Sequence, residues 1–205
     1  MQLIIASQNV HKIRELRSML KIYPELDILS LIDFPSYTPP EEGSLSFEEN
    51  VIQKAIHAAK TLGKWVLADD TGLVVPGLNG APGVLSSRYA GEGSSDSDNR
   101  KKLLQEMQHL TEDDRQAYFE CWLAIASPEG LQKCVKGVCE GLILPSGKGG
   151  KGFGYDSLFI KHEYGKTFAE LEEDIKNRIS HRRKALDKLH LTLELMTPPP
   201  HALLD

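Results

Sequence analysis

Cysteine is scarce in this chain: Cys121, Cys134 and Cys139 are the three among 205 residues. They form no CxxC pair, and an odd number cannot pair completely among themselves. Neither a disulfide framework nor a structural zinc site fits that spacing, and reduced thiols on a hairpin are the simpler reading. Long apolar runs are missing too. No stretch approaches the ~18 apolar residues of a membrane span, and the apolar part of MQLIIASQN is too short for a secretory signal. The cytoplasm, with no membrane partner, is the expectation. Positive charge is in deficit, 24 Lys and Arg against 29 Asp and Glu, for a net −5. That balance argues against a duplex-nucleic-acid binder, so no nucleic-acid partner is expected. The turn from Ser7 to Lys12 also lacks the glycines of a Walker loop or a GxGxxG turn.

What remains is an ordinary globular balance, 40% hydrophobic and 26% charged. There is no internal repeat and no linker, so one domain over residues 1–196 is expected, followed by a Pro-rich tail at 197–205. Leu3 to Ala6 reads as a buried strand. Val10, Ile13, Leu16 and Leu20 then recur at helical spacing, with Lys12, Arg14, Glu15 and Arg17 on the other face. A second strand is predicted over 26–31, and a loop broken by Pro35, Pro39 and Pro40 leads to Glu41-Glu42. Ser46 to Glu49 matches a capping box, Phe47, Val51, Ala55, Ala58 and Leu62 predict a helix, and Gly63 its stop. A short strand at 65–68 is predicted to run into Asp69-Asp70-Thr71-Gly72, followed by Leu73-Val74-Val75. Asp96 or Asp98 is read as the cap of a helix through His109. Residues 116–126 and 131–144 form the two strands of a long hairpin, and a closing helix carries Ile175, Ile179, Leu186, Leu189 and Leu193. This order of elements predicts a mixed α/β fold.

Four polar clusters carry the chemistry. Ser7-Gln8-Asn9 with Lys12 is a strand-to-helix turn whose backbone N–H groups can face an anion. The competing account makes Asn9 a helix cap and Lys12 a solvated charge. Asp69-Asp70-Thr71, with Glu41 and Glu42 upstream, gathers carboxylates that a hard divalent cation would neutralise and that would activate water. A solvent-facing turn is the alternative. In Gly152-Phe153-Gly154-Tyr155-Asp156 the glycines let the backbone approach a flat ligand and the aromatics stack on it; a glycine-kinked strand entry competes. Lys176 and Ser180-His181-Arg182-Arg183-Lys184 place basic groups near a helix's buried margin, or on a solvated face. Lys54, in mid-helix between Val51 and Ala55, points to a cleft.

Taken in order, ADDTGL (68–73), GAPGVLSSRYAG (80–91), GFGYDSLF (152–159) and ISHRRKAL (179–186) resemble the inosine triphosphate pyrophosphatase family over nearly the whole chain. The resemblance implies an elongated, mixed-sheet α/β fold of two lobes with a central nucleotide cleft. It also implies a homodimer, Mg²⁺ as cofactor, and conversion of ITP, dITP or XTP to the monophosphate and pyrophosphate. Position by position, Ser7, Gln8, Asn9, Val10, His11 and Lys12 match the phosphate-binding turn and Glu41 a metal ligand. Lys54 matches a substrate contact, and Asp70 the proton acceptor and metal ligand. Thr71, Phe153, Gly154, Tyr155, Asp156, Lys176, His181 and Arg182 match further substrate contacts.

The sequence departs from the family pattern in places. Gln8 replaces a glycine, Ser157 stands where proline is frequent, and Glu41-Glu42-Gly43-Ser44 leaves open which glutamate is the ligand. Asp70, or Asp69 beside it, is expected to activate the attacking water. Arg182, His181 and the backbone N–H groups of 153–156 are expected to donate to a 6-oxo group that adenine lacks. The alternatives are a sensor that binds purine nucleotides without hydrolysis and a Maf-like pyrophosphatase for other modified nucleotides.

Overall fold

The computed structural model describes residues 1–40 and 46–196; Glu41, Glu42 and the tail from 197 lie outside them. Four apolar residues in a row need cover on both faces, and Leu3 to Ala6 receive it. They belong to β1 (Gln2–Ala6), which lies between two parallel neighbours, β2 (Asp27–Ser30) and β3 (Trp65–Val74). Two helices cover this part of the sheet from opposite sides. α1 (Val10–Leu20) packs Ile13, Leu16 and Leu20 against Leu3, Ile5 and Leu67. α2 (Phe47–Leu62) packs Val51, Ala55 and Ala58 against Ile4, Val66 and Ala68. Ser46 caps α2 by accepting from the Glu49 N–H, and Gly63 ends it at φ 62°.

The sheet then turns antiparallel. α3 (Asp96–Glu106) precedes a long hairpin of β4 (Gln116–Ser127) and β5 (Gly130–Ile143), and β6 (Phe159–Lys161) and β7 (Lys166–Thr167) follow. Among the described residues the order is β2-β1-β3-β4-β5-β6-β7, mixed α/β as expected. Beyond the reach of α1 and α2, the far halves of β3, β4 and β5 carry a second core built on Leu73, Phe119, Ile143, Phe159 and Phe168, with Leu103 and Met107 from α3 and its end. The chain closes with α4 (Glu173–Ile179), α5 (His181–Asp187) and α6 (His190–Met196).

Three expectations are corrected. β3 does not stop at Ala68: Asp69 and Asp70 sit inside the strand, opposite Leu123 and Trp122 of β4. α3 is capped by Ser95, with Asp98 closing the capping box, and it ends at Glu106. The closing helix is broken at Ser180, whose extended backbone (ψ 162°) ends α4 while its hydroxyl accepts from Arg183 N–H to start α5.

Two features place the site. β1 ends at Ala6, opposite Ala68, while β3 runs on. One edge of β3 is thus without a strand partner from Asp69 until Ser86 and Pro82 meet it at Leu73 and Val74, at the carboxyl end of a strand flanked by helices on opposite faces, where open α/β sheets form their crevices. Gly137 of β5 is the second. A Cβ there would collide with the His181 carbonyl and the Ala185 backbone, so only glycine lets α5 lie this close to the sheet. Cys121 and Cys139 are buried, Cys134 is half-buried, and all three are free thiols. No helix among the described residues is long and apolar enough to cross a membrane.

Candidate active site

Successive strand residues point to opposite faces, so Asp69 and Asp70 part company. Asp69 shares the α1 side with Leu67 and Thr71. It is 3% exposed and surrounded by donors: Lys12 Nζ at 2.6 Å, Arg182 Nε at 2.7 Å, the Thr71 hydroxyl at 2.9 Å and the Cys121 thiol at 3.4 Å. Burial would raise its pKa, but Arg182 and Lys12 outweigh burial and hold the carboxyl well below the usual range. A carboxylate so engaged is a poor proton acceptor. The chain's own cations, rather than an added one, neutralise Asp69.

Asp70 faces α2. Its Oδ1 accepts from Lys54 Nζ at 3.0 Å, and among the described residues nothing donates to Oδ2. The lysine read from mid-helix as a cleft residue thus meets the one of these two carboxylates that keeps an acceptor oxygen among the described residues.

At the end of β1, Asn9 caps α1 by accepting from the N–H groups of His11 and Lys12, and Ser7 Oγ accepts from Asn9 N–H. Several backbone donors expected to face an anion are therefore satisfied internally. Lys12 is not a solvated charge but an ion-pair partner of Asp69. Val10 is exposed, and His11 stacks on Phe153 with ring centroids 5.0 Å apart.

The segment 152–156 is held by its own aspartate. Asp156, buried, accepts from Phe153 N–H at 3.0 Å and from Lys176 Nζ at 2.6 Å. Its carboxylate packs where a Cβ on Gly152 would stand, and Gly152 has φ +75°. Gly154 N–H donates to Asp96 at 2.6 Å, and Asp156 N–H to the Phe153 carbonyl. Of the backbone donors expected to read a base here, only that of Tyr155 has no acceptor among the described residues. The Tyr155 hydroxyl donates to the Ser86 carbonyl at 2.9 Å.

Glu15 departs from the outer face of α1, where the helical spacing puts it: it is buried and accepts from Lys176 Nζ at 2.7 Å and from Arg182 Nη1. Burial pushes its pKa up, but Arg182 and Lys176 bring it below the usual value. Lys176 stays charged: burial opposes this, and Asp156 and Glu15 prevail. The result is an alternating chain of charges, Lys12, Asp69, Arg182, Glu15, Lys176 and Asp156, running under the cleft. Arg182, fully buried, spends three of its five N–H donors on Asp69, Glu15 and Thr71.

His181 is buried against Phe119, with centroids 4.7 Å apart, and its Nδ1 has no hydrogen-bond partner among the described residues. Burial first, then Arg182 and Lys176, hold its pKa well below the ordinary histidine value, so the ring is neutral. Unfolding restores the ordinary value, so between the folded pKa and ~6.5 the unfolded chain binds the extra proton. Stability is then expected to fall as pH drops below ~6.5, by about 1.4 kcal/mol per pH unit from this group. Urea titrations between pH 7 and 5 check it: His181→Phe should lose that part of the slope, and an unchanged slope would show that the ring titrates alike in both states.

Together these groups line a cleft of about 450 Å³, walled also by Leu31, Tyr37, Pro39, Pro40 and Val84. Ser7, Gln8, Asn9, Lys12, Lys54, Asp69, Asp70, Thr71, Phe153 to Asp156, Lys176, His181 and Arg182 all face it, whereas Val10 and His11 are not part of its wall. A mixed sheet opened at one strand end, with paired cations, an acceptor carboxylate and an aromatic shelf, defines an α/β protein built to take an anionic ligand bearing a flat ring.

The chain belongs to the Ham1 family, whose sequence model matches residues 3–191. It is 57% identical over 195 residues, 95% of this chain and 98% of the relative, to the dITP/XTP pyrophosphatase of Protochlamydia amoebophila. To the dITP/XTP pyrophosphatase of Chlamydia caviae it is 56% identical over 92% of each chain. The solved structure of the Staphylococcus aureus Ham1 protein superposes with a TM-score of 0.83 at 40% identity, covering 96% of this chain and all of that one.

Proposed function

We propose that the protein hydrolyses aberrant purine nucleoside triphosphates, ITP, dITP and XTP, to the monophosphate and pyrophosphate. Full-length relatives named for dITP and XTP supply the substrate class. One structural observation carries the chemistry: of two adjacent carboxylates, Asp69 is neutralised by Lys12 and Arg182, while Asp70 lines the cleft with an acceptor oxygen to spare. On this reading the turn from Ser7 to Lys12 and Lys54 hold the anionic chain. Asp70 takes the proton of the attacking water. Phe153 gives the purine a face to stack on, and Lys176, Tyr155 N–H and the remaining donors of Arg182 read its edge.

Mg²⁺ suits this donor set, because it is usually held by one or two carboxylates completed by substrate phosphate and water. Asp70 supplies one carboxylate, and Glu41 or Glu42, outside the described residues, the other. Such an ion would offset charge developing at the reacting phosphorus. We read the protein as a cytoplasmic homodimer on the family resemblance.

A pyrophosphate-release assay with ITP, XTP, dITP, ATP, GTP, dUTP and TTP, with and without Mg²⁺, tests the reading. Release from the first three alone, and only with the ion, is the expected result. Equal rates on ATP or GTP would overturn the substrate class. Tight binding without release would make the protein a sensor.

A further inference from the structure

The two peptide units that flank Gly154 are held by one helix. The Gly154 N–H donates to Asp96 Oδ2 at 2.6 Å, and the Gly154 carbonyl accepts from Arg100 Nη1 at 2.6 Å. Asp96 and Arg100 lie four apart in the first turns of α3 and therefore on one face. Gly154 has φ +59°, a conformation that glycine adopts freely and that leaves the two flanking peptide planes easy to rotate. The clamp removes that freedom. The next residue up the chain is Phe153, whose ring forms one wall of the cleft. α3 is itself pinned, since Asn99 donates to the Ser87 carbonyl at 3.1 Å and accepts from Ala90 N–H at 2.8 Å. The aromatic shelf is thus referenced through α3 to the loop 83–94, another wall of the same cleft.

We propose that Asp96 and Arg100 are positioning residues for base recognition: Asp96 fixes the 153–154 peptide and Arg100 the 154–155 peptide, and together they hold the plane of the Phe153 ring. The proposal rests on the reading of this cleft as a purine nucleotide site and names the part of it that selects the base. Neither residue reaches the acceptor carboxylate Asp70 or the cations proposed for the phosphates, so their influence falls on the base alone. Asp96 needs only an acceptor oxygen for this task, and asparagine would provide one.

Calorimetric binding of inosine monophosphate and of inorganic tripolyphosphate to the purified protein and to Asp96→Ala, Arg100→Met and Asp96→Asn separates the roles. Loss of either charged hydrogen bond should weaken inosine monophosphate by about tenfold, with Asp96→Asn restoring most of it. Tripolyphosphate, which has no base, should bind all four proteins alike. Parallel loss of both ligands, or undiminished inosine monophosphate binding in the Ala and Met variants, would overturn the proposal. Binding is scored independently of turnover: a wild-type protein that binds inosine monophosphate but releases no pyrophosphate from ITP fails the hydrolysis reading and leaves the clamp tested. A wild-type protein that binds no inosine monophosphate overturns both.

Discussion

Asp70→Asn is expected to reduce kcat for ITP by a factor of the order of 10²–10⁴, the range for removing a positioned proton acceptor. The substitution keeps the size of the side chain and an oxygen able to accept from Lys54, so α2 and β3 should stay in register. What disappears is the ability to take a proton, and with it a negative charge at the cleft. Asp69→Asn is the instructive contrast. Asp69 is enclosed by four donors and held well below the usual carboxylate range, burial notwithstanding, by Arg182 and Lys12. Its loss should register first as lost stability. Steady-state kinetics on both variants, with urea titrations alongside, make the comparison. Near-normal turnover in Asp70→Asn would remove that residue from the proton-acceptor role, and a folded Asp69→Asn as inactive as Asp70→Asn would return Asp69 to it.

Arg182→Met is expected to destabilise the fold by about 3–5 kcal/mol, as removal of one partner from a buried ion pair does. The guanidinium is the central link between Asp69 and Glu15, and both carboxylates would remain buried with less compensation. The pH dependence gives a sharper signature than the midpoint. In the native protein both carboxyls have lowered folded pKa values. Their contribution is present above the unfolded values of ~3.9 and ~4.3 and is lost as pH falls through the folded ones. Without Arg182 both folded values move up, with Lys12 and Lys176 still opposing burial. The gap between variant and native protein should therefore close as pH falls through the range in which the variant's carboxyls take up protons and the native ones do not. A loss below about 1 kcal/mol, typical of exposed pairs, would mean that water reaches the lattice.

Elements whose information is local were legible in the chain. The 3.6-residue stripes of α1 and α2, the capping serine at 46, the glycine stop at 63 and the hairpin about 127–130 each depend on neighbours a few residues away. Asp69 and Asp70 were not legible as strand residues. Acidic side chains are poor strand formers, and what makes them tolerable here is a guanidinium 113 residues downstream and a register set by β4. Glu15 failed for the same reason. Beside Arg14 in a helical pattern it reads as surface, and the cations that bury it lie 161 and 167 residues away. The cleft residues surfaced because Gly-Phe-Gly-Tyr-Asp and Ser-His-Arg are unusual local strings. Arg100 and Gly137 are single residues in unremarkable surroundings, and only the packing of α3 and α5 gives them a role.

The balance of charge around the cleft governs how a ligand would arrive. Among the described residues Lys12, Lys54, Lys176 and Arg182 line it against Asp69, Asp70, Asp96 and Asp156, and His181 adds nothing at neutral pH. Such a mouth projects little field into solvent, so a passing polyanion is not steered from afar, and its rate of capture should be nearly indifferent to ionic strength. Selection then happens at contact, one donor at a time, after diffusion alone has delivered the molecule.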